Sequence, residues 1–263
     1  MHSGELSGSP AQTVISGSHL TVEGKSYSGA LSAYMIHKDG RAYHTFRTWT
    51  VLVDGEDICF RNCLFENTAG PGEEVGQAIA LYLDGDGIRL ENCVLRGHQD
   101  TLFLAPLPEK PVEKDGFLGP KEFLPRTGRS FYFEDCLIEG GIDFIFGGAR
   151  AVFKNCEFRS VEKGFVFAPC TPADQEEGFA AMDCRFTAAQ GVPPRSCYIA
   201  RPWREHAAVR LTHCYLGEHI HPAGFDDWGK TEAHKTVRFE EYDSYGPGAV
   251  NAKRPYYVKH DLR

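Results

Sequence analysis

Apolar and polar residues alternate through Ile58-Cys59-Phe60-Arg61-Asn62, and the alternation then slips by one place at Cys63-Leu64-Phe65. The same slip recurs in Ile88-Arg89-Leu90-Glu91-Asn92-Cys93-Val94-Leu95 and in copies centred on Cys136, Cys156, Cys184 and Cys214. In every copy the positions five before, three before and two after the cysteine are apolar, and Asn, Asp or His stands just before it. In a straight strand, residues of equal parity share a face, so the cysteine and the residue two after it would point away from the earlier pair. A bend just before the cysteine brings all of them inward. Asn and Asp tolerate the left-handed backbone such a bend needs, which predicts kinks at Asn62, Asn92, Asp135, Asn155 and Asp183. His213 fits that role less easily.

The shortest interval between copies, Cys136 to Cys156, sets a coil of about twenty residues, with longer intervals carrying loops. That is the pattern of a β-solenoid rather than a sandwich. It stacks like residues on like, so the six cysteines are expected inside as small apolar packing groups beside Phe ladders. Ala105 to Arg129 lacks alternation and is rich in Pro, Gly, Lys and Glu, which predicts a long surface loop beside whatever the flanking coils display. The stretch after Glu218 is less repetitive and is expected to cover the last coil.

A chain of 263 residues with this repeat is expected to form one domain over residues 1–263. Its net charge of -8 and lack of a Lys/Arg run exclude a nucleic-acid partner. No apolar run is long enough for a membrane span. Met1 to Gly17 carries no secretory signal, so the chain as it stands reads as cytoplasmic, and as extracellular if an N-terminal segment precedes it. Nine cysteines, an odd number, suit buried thiols better than a disulfide framework. Cys214, His219 and His221 invite a zinc reading, but no Cys-x2-Cys pair accompanies them, and neither a metal nor a cofactor is expected.

Three segments hold polar groups that a structural repeat does not need. Gly97-His98-Gln99-Asp100-Thr101-Leu102 follows the second copy, and Gly140-Gly141-Ile142-Asp143-Phe144-Ile145-Phe146-Gly147 follows the third. Equivalent places in neighbouring coils put Asp100 and Asp143 side by side, where both carboxylates are not comfortably charged. The third segment is Tyr198-Ile199-Ala200-Arg201-Pro202-Trp203. An Arg beside one acid keeps it ionised and leaves the other to hold a proton, which separates a nucleophile or base from a general acid.

In these motifs the chain resembles the pectin methylesterases, carbohydrate esterases built as right-handed parallel β-helices. The likeness extends through Thr45-Phe46-Arg47-Thr48-Trp49-Thr50-Val51, Asn67-Thr68-Ala69-Gly70-Pro71, Gln77-Ala78-Ile79-Ala80-Leu81, Arg201-Pro202-Trp203, Pro222-Ala223-Gly224 and Gly246-Pro247-Gly248-Ala249, in family order from about Thr13 onward. The resemblance implies Asp143 as nucleophile, Asp100 as general acid and then base, Gln99 and Gln77 as oxyanion donors, and Arg201 as the group that orients Asp143. It implies sugar-binding walls from Trp203, Phe146 and Phe103, and a substrate contact from Thr45. The expected substrate is methyl-esterified galacturonan, as pectin or as oligogalacturonides. The alternatives are a non-catalytic pectin-binding β-helix, or a galacturonan lyase or glycosidase on the same scaffold. Family members begin with further coils, so an N-terminally short solenoid is expected. The Ala105 to Arg129 loop is larger than the family minimum and is expected to narrow the groove toward short oligomers.

Overall fold

The computed structural model describes residues 12–250 and 252–260. Met1-His2-Ser3-Gly4, and with them most of the segment searched for a secretory signal, lie outside the described residues. Among the described residues the strands form three sheets of seven, nine and seven members, and every pairing within them is parallel. Each turn of the chain gives one strand to each sheet. The coil that begins with Thr13–Ser18 is followed by one that begins with Val51–Glu56, then by Leu81–Leu83, Leu102–Leu104, Ile145–Gly147, Gly164–Pro169 and Cys197–Ala200. The result is a right-handed parallel β-helix.

The slip in the alternation is a left-handed kink between the second and third sheets. Asn62, Asn92, Asp135, Asn155 and Asp183 have φ between 50° and 55°. His213 adopts the same conformation at φ 53°, and its Nδ1 lies 2.8 Å from Asp183 Oδ1. That contact explains why a histidine is accommodated. The same kind of link joins Asn92 Nδ2 to Asn62 Oδ1 at 2.7 Å and Asn155 Nδ2 to Asp135 Oδ1 at 2.5 Å. Polar side chains outside the bend thus tie three pairs of neighbouring coils together.

Inside the bend all six repeat cysteines are buried free thiols, each near the carbonyl two residues earlier, as Cys63 Sγ is at 3.2 Å from Arg61 O. Phe133 and Phe153 stack at 4.6 Å between centroids. Two weaker copies escape a cysteine search. Leu20 to Tyr27 aligns with Ile58 to Phe65, with Gly24 at the kink and Lys25 in the cysteine place. Phe239 to Gly246 aligns with Val209 to Leu216, with Asp243 at the kink and Ser244 in the cysteine place.

The stretch after Glu218 therefore does more than cover the last coil, because Arg238–Tyr242 and Val258–His260 extend the second sheet. Glu241 occupies an inward position there. The Arg254 guanidinium meets it through two bonds of 2.6 and 2.9 Å, so a buried ion pair takes the place that apolar side chains fill in the earlier coils.

The Ala105 to Arg129 loop also departs from the expectation of a plain surface loop. Phe117, Leu118 and Lys121 are buried, and Lys121 Nζ reaches Asp54, within the strand Val51–Glu56, and Asp84, just past the strand Leu81–Leu83. The loop lies over Tyr82, Phe103 and Phe146, which are paired neighbours on the outer face of that sheet. Coverage of both faces explains why these short strands lack alternation.

Candidate active site

Asp100 and Asp143 each stand two residues ahead of a strand of the first sheet, and those strands pair with Leu102 against Ile145. The Asp100 backbone N–H donates to Ile142 O at 3.0 Å, which locks the two turns together. The carboxylates therefore emerge one strand spacing apart, about 4.8 Å along the helix axis. Both residues are left-handed, at φ 64° and 50°. A non-glycine residue in that region is uncommon, and at a turn it throws the side chain out of the strand's regular alternation.

Arg201 follows the strand Cys197–Ala200 and reaches back to Asp143. Its Nε donates to Oδ1 at 2.7 Å and its Nη2 to Oδ2 at 2.6 Å, the fork geometry that only a guanidinium supplies. Its two faces are sandwiched by the rings of Phe165, at 3.9 Å, and Trp228, at 3.7 Å. Burial pushes the Asp143 carboxyl above the usual range, while the bonds and charge of Arg201, with Lys230 beyond, pull it back. Asp100 is raised well above the usual range by burial and then by the Asp143 charge, with only the more distant charge of Arg201 opposing. Its carboxyl makes no hydrogen bond among the described residues. Of the two acids, Asp100 is the one poised to carry a proton.

Gln77 and Gln99 lie on adjoining coils, joined by the bond from Ala78 N–H to Gln99 O at 3.1 Å. Both are half-buried, and neither side-chain amide has a hydrogen-bond partner among the described residues. Gln99 packs on Gly72, where a Cβ would fall 2.4 Å from its Oε1. Space for that amide thus depends on a missing side chain.

Trp203 and Phe146 meet edge to face at 5.8 Å, and Phe46 lies under Trp203 at 6.5 Å. Of these rings only Trp203 is partly exposed; Phe146, expected as a wall residue, is buried with Phe46 against it, and Phe103 lies deeper still. It is wholly buried, 5.0 Å behind both Phe146 and Phe46, and cannot touch a sugar without moving them. Thr45 is half-buried and opens the short helical turn Thr45–Arg47 that presents Phe46. Phe46, Phe117, Phe165, Trp228 and Lys230 were not picked out from the sequence. Trp228 had a signal, an aromatic in the otherwise polar run Asp226-Asp227-Trp228-Gly229-Lys230, whereas Phe117 was hidden in a segment read as a surface loop and Phe165 carries no motif. Among the described residues no group of three or more His, Cys, Asp or Glu is arranged to hold a metal, and no helix is long and apolar enough to cross a membrane.

A family description named Pectinesterase matches residues 14–106 and 122–260, and the unmatched interval falls within the loop that covers the aromatic face. Pectinesterase 31 of Arabidopsis thaliana is 32% identical over 80% of this chain and 58% of its own length. A pectinesterase of Petunia integrifolia is 33% identical over 82% of this chain and 54% of its own. The chain thus spans a little over half the length of these relatives. Among solved structures, pectin methylesterases from Yersinia enterocolitica and from carrot share the fold, each at 22% identity. Their TM-scores are 0.75 and 0.73, with 97% and 96% of this chain and 86% and 80% of theirs superposed. With that match running through both aspartate motifs and Arg201, the chain belongs to the pectinesterase family.

Proposed function

We propose that this protein hydrolyses methyl esters of galacturonate in pectin or oligogalacturonides, releasing methanol and free carboxylates. The observation that carries this reading is the asymmetry of two neighbouring buried acids, one gripped by Arg201 and one whose carboxyl makes no hydrogen bond among the described residues. The Asp143 carboxylate attacks the ester carbonyl carbon, and negative charge gathers on the carbonyl oxygen. The amides of Gln99 and Gln77, which have no hydrogen-bond partner among the described residues, are the donors that meet it. As the carbon–oxygen bond to methoxide breaks, Asp100 gives its proton to the leaving oxygen and methanol departs. The acyl group is then held on Asp143 as an anhydride. Asp100, now a carboxylate, takes a proton from water, whose oxygen attacks the acyl carbon and frees Asp143.

The partly exposed Trp203 ring, seated on the buried Phe146 and Phe46, gives an apolar surface suited to a sugar ring, and Thr45, next to Phe46 in the chain, is available for a polar contact. A lyase or glycosidase would cut the polymer and create unsaturated or reducing ends. The deciding experiment measures methanol and chain ends together on methylated pectin, with the wild type and Asp143→Ala. Methanol without new ends, lost in the variant, is the expected result. New chain ends, or methanol release that survives the substitution, would overturn the reading.

A further inference from the structure

Beside Asp143 four groups are layered in order: the Phe165 ring, the Arg201 guanidinium, the Trp228 ring and the Lys230 ammonium, whose Nζ lies 4.2 Å from the indole centre. The same ammonium donates to Pro202 O at 2.7 Å and to Trp203 O at 3.2 Å. One side chain thus ties the segment bearing Trp228 to the segment bearing Arg201 and Trp203. Lys230 is half-buried and forms no ion pair among the described residues. The charges that act on it are the cations Arg204 and Arg201 and the anions Asp143 and Glu205. An unpaired, partly desolvated cation facing two guanidinium groups is an unfavourable arrangement for folding alone. Its geometry suits the site instead.

We infer that Lys230 is a positioning residue for the ester-cleaving acids, acting by bracing Trp228 and the Arg201-Pro202-Trp203 segment so that Arg201 stays aligned on Asp143. This rests on the esterase reading above. If the brace loosens, the guanidinium turns between its two rings and the nucleophile loses its aim, while the sugar wall loses less. The effect therefore falls on kcat more than on KM. Burial, then Arg204 and Arg201, lower the Lys230 ammonium to about 8. As pH rises through that value the charge is lost, and with it the attraction to the indole and the charge assistance to both carbonyl bonds.

The test compares the wild type with Lys230→Met and Lys230→Arg. Methanol-release kinetics are measured from about pH 6 to pH 10, and tryptophan emission is titrated over the same range without substrate. In Lys230→Met, kcat should fall about 10- to 100-fold, the scale of a slightly misplaced catalytic group, with KM nearly unchanged. Lys230→Arg should recover most of kcat and move the alkaline limb upward. Wild-type emission should change with a midpoint near 8, and neither variant should show that step. Emission needs no turnover, so a chain that cleaves no ester would sink the esterase reading while the brace is still read from fluorescence. An emission step that persists in either variant, or a wild-type kcat in Lys230→Met, overturns the inference. Should Lys230→Met fail to fold, the emission step in Lys230→Arg decides.

Discussion

Arg201 holds both oxygens of Asp143, at 2.7 and 2.6 Å, with its own two faces pressed between Phe165 and Trp228. Neither the fork nor the sandwich can be reproduced by an ammonium. Arg201→Lys should leave the fold intact and lower kcat by about 100-fold, the effect of a misaimed nucleophile. Arg201→Ala should also destabilise the protein by about 3–5 kcal/mol, because it leaves a buried carboxylate without its partner. Urea unfolding of the two variants separates these effects, and equal stability of both would show that the pair contributes no more than its alignment.

Asp100 makes the opposite stability prediction. Burial and the Asp143 charge raise its folded pKa above the unfolded value, so the folded protein binds that proton more tightly. The stability this lends is full below the unfolded value near 3.8 and drains away as pH climbs toward the folded value. At neutral pH, Asp100→Asn should therefore melt higher than the wild type, by about 2–4 °C for each kcal/mol released. It should also lose about 10²- to 10⁴-fold in rate, as expected for removal of a general acid. A variant that melts at the wild-type temperature from pH 4 to pH 8 would count against the raised pKa.

The amides of Gln77 and Gln99 give a third test. Gln99→Ala and Gln77→Ala should each reduce kcat by about 10²- to 10³-fold if they stabilise an oxyanion, with smaller changes in KM. Gly72→Ala offers an indirect check, since its new Cβ would fall within 2.4 Å of Gln99 Oε1 and displace the amide without altering it chemically. A Gly72→Ala enzyme with unchanged kcat would mean that the Gln99 position is not critical.

The covering loop supplies the fourth. Phe117 is buried against Phe46 and edges Trp203 at 6.4 Å, while Arg204 Nη2 bonds Lys110 O at 3.0 Å. Phe117→Ala should destabilise the protein by about 3–5 kcal/mol, the usual range for emptying a buried aromatic site. It should also raise KM, because Trp203 loses its lateral support. If the loop narrows the groove, the KM change should be larger for methylated oligogalacturonides than for polymeric pectin. Equal changes on both substrates would dismiss that role.

Much of this molecule was legible in one dimension. Period-two alternation, a slip at Asn or Asp, and a cysteine after each slip are local rules, and local rules repeated at coil length specify a solenoid. Register follows from them, since coils stack like on like, and register alone places Asp100 beside Asp143. What the pattern could not reveal are contacts whose partners lie far apart in sequence and obey no period. The copies at Gly24-Lys25 and Asp243-Ser244 were hidden because end coils face different neighbours and need no cysteine. Phe103 read as a wall residue and proved to be the layer behind it, because burial on the outer face of a strand is set by what covers it. Here the cover is Phe46 and the Ala105 to Arg129 loop, itself read as a surface loop.

The sequence by itself determined the coil, its kinks and the pairing of the two acids, because those depend on spacing and backbone preference within a repeat. Only the tertiary structure decided the layered support of Asp143, through Phe165, Arg201, Trp228 and Lys230, since it joins three segments outside the repeat. Stacking of rings and cations is fixed by three-dimensional proximity and desolvation, and neither leaves a periodic trace along the chain.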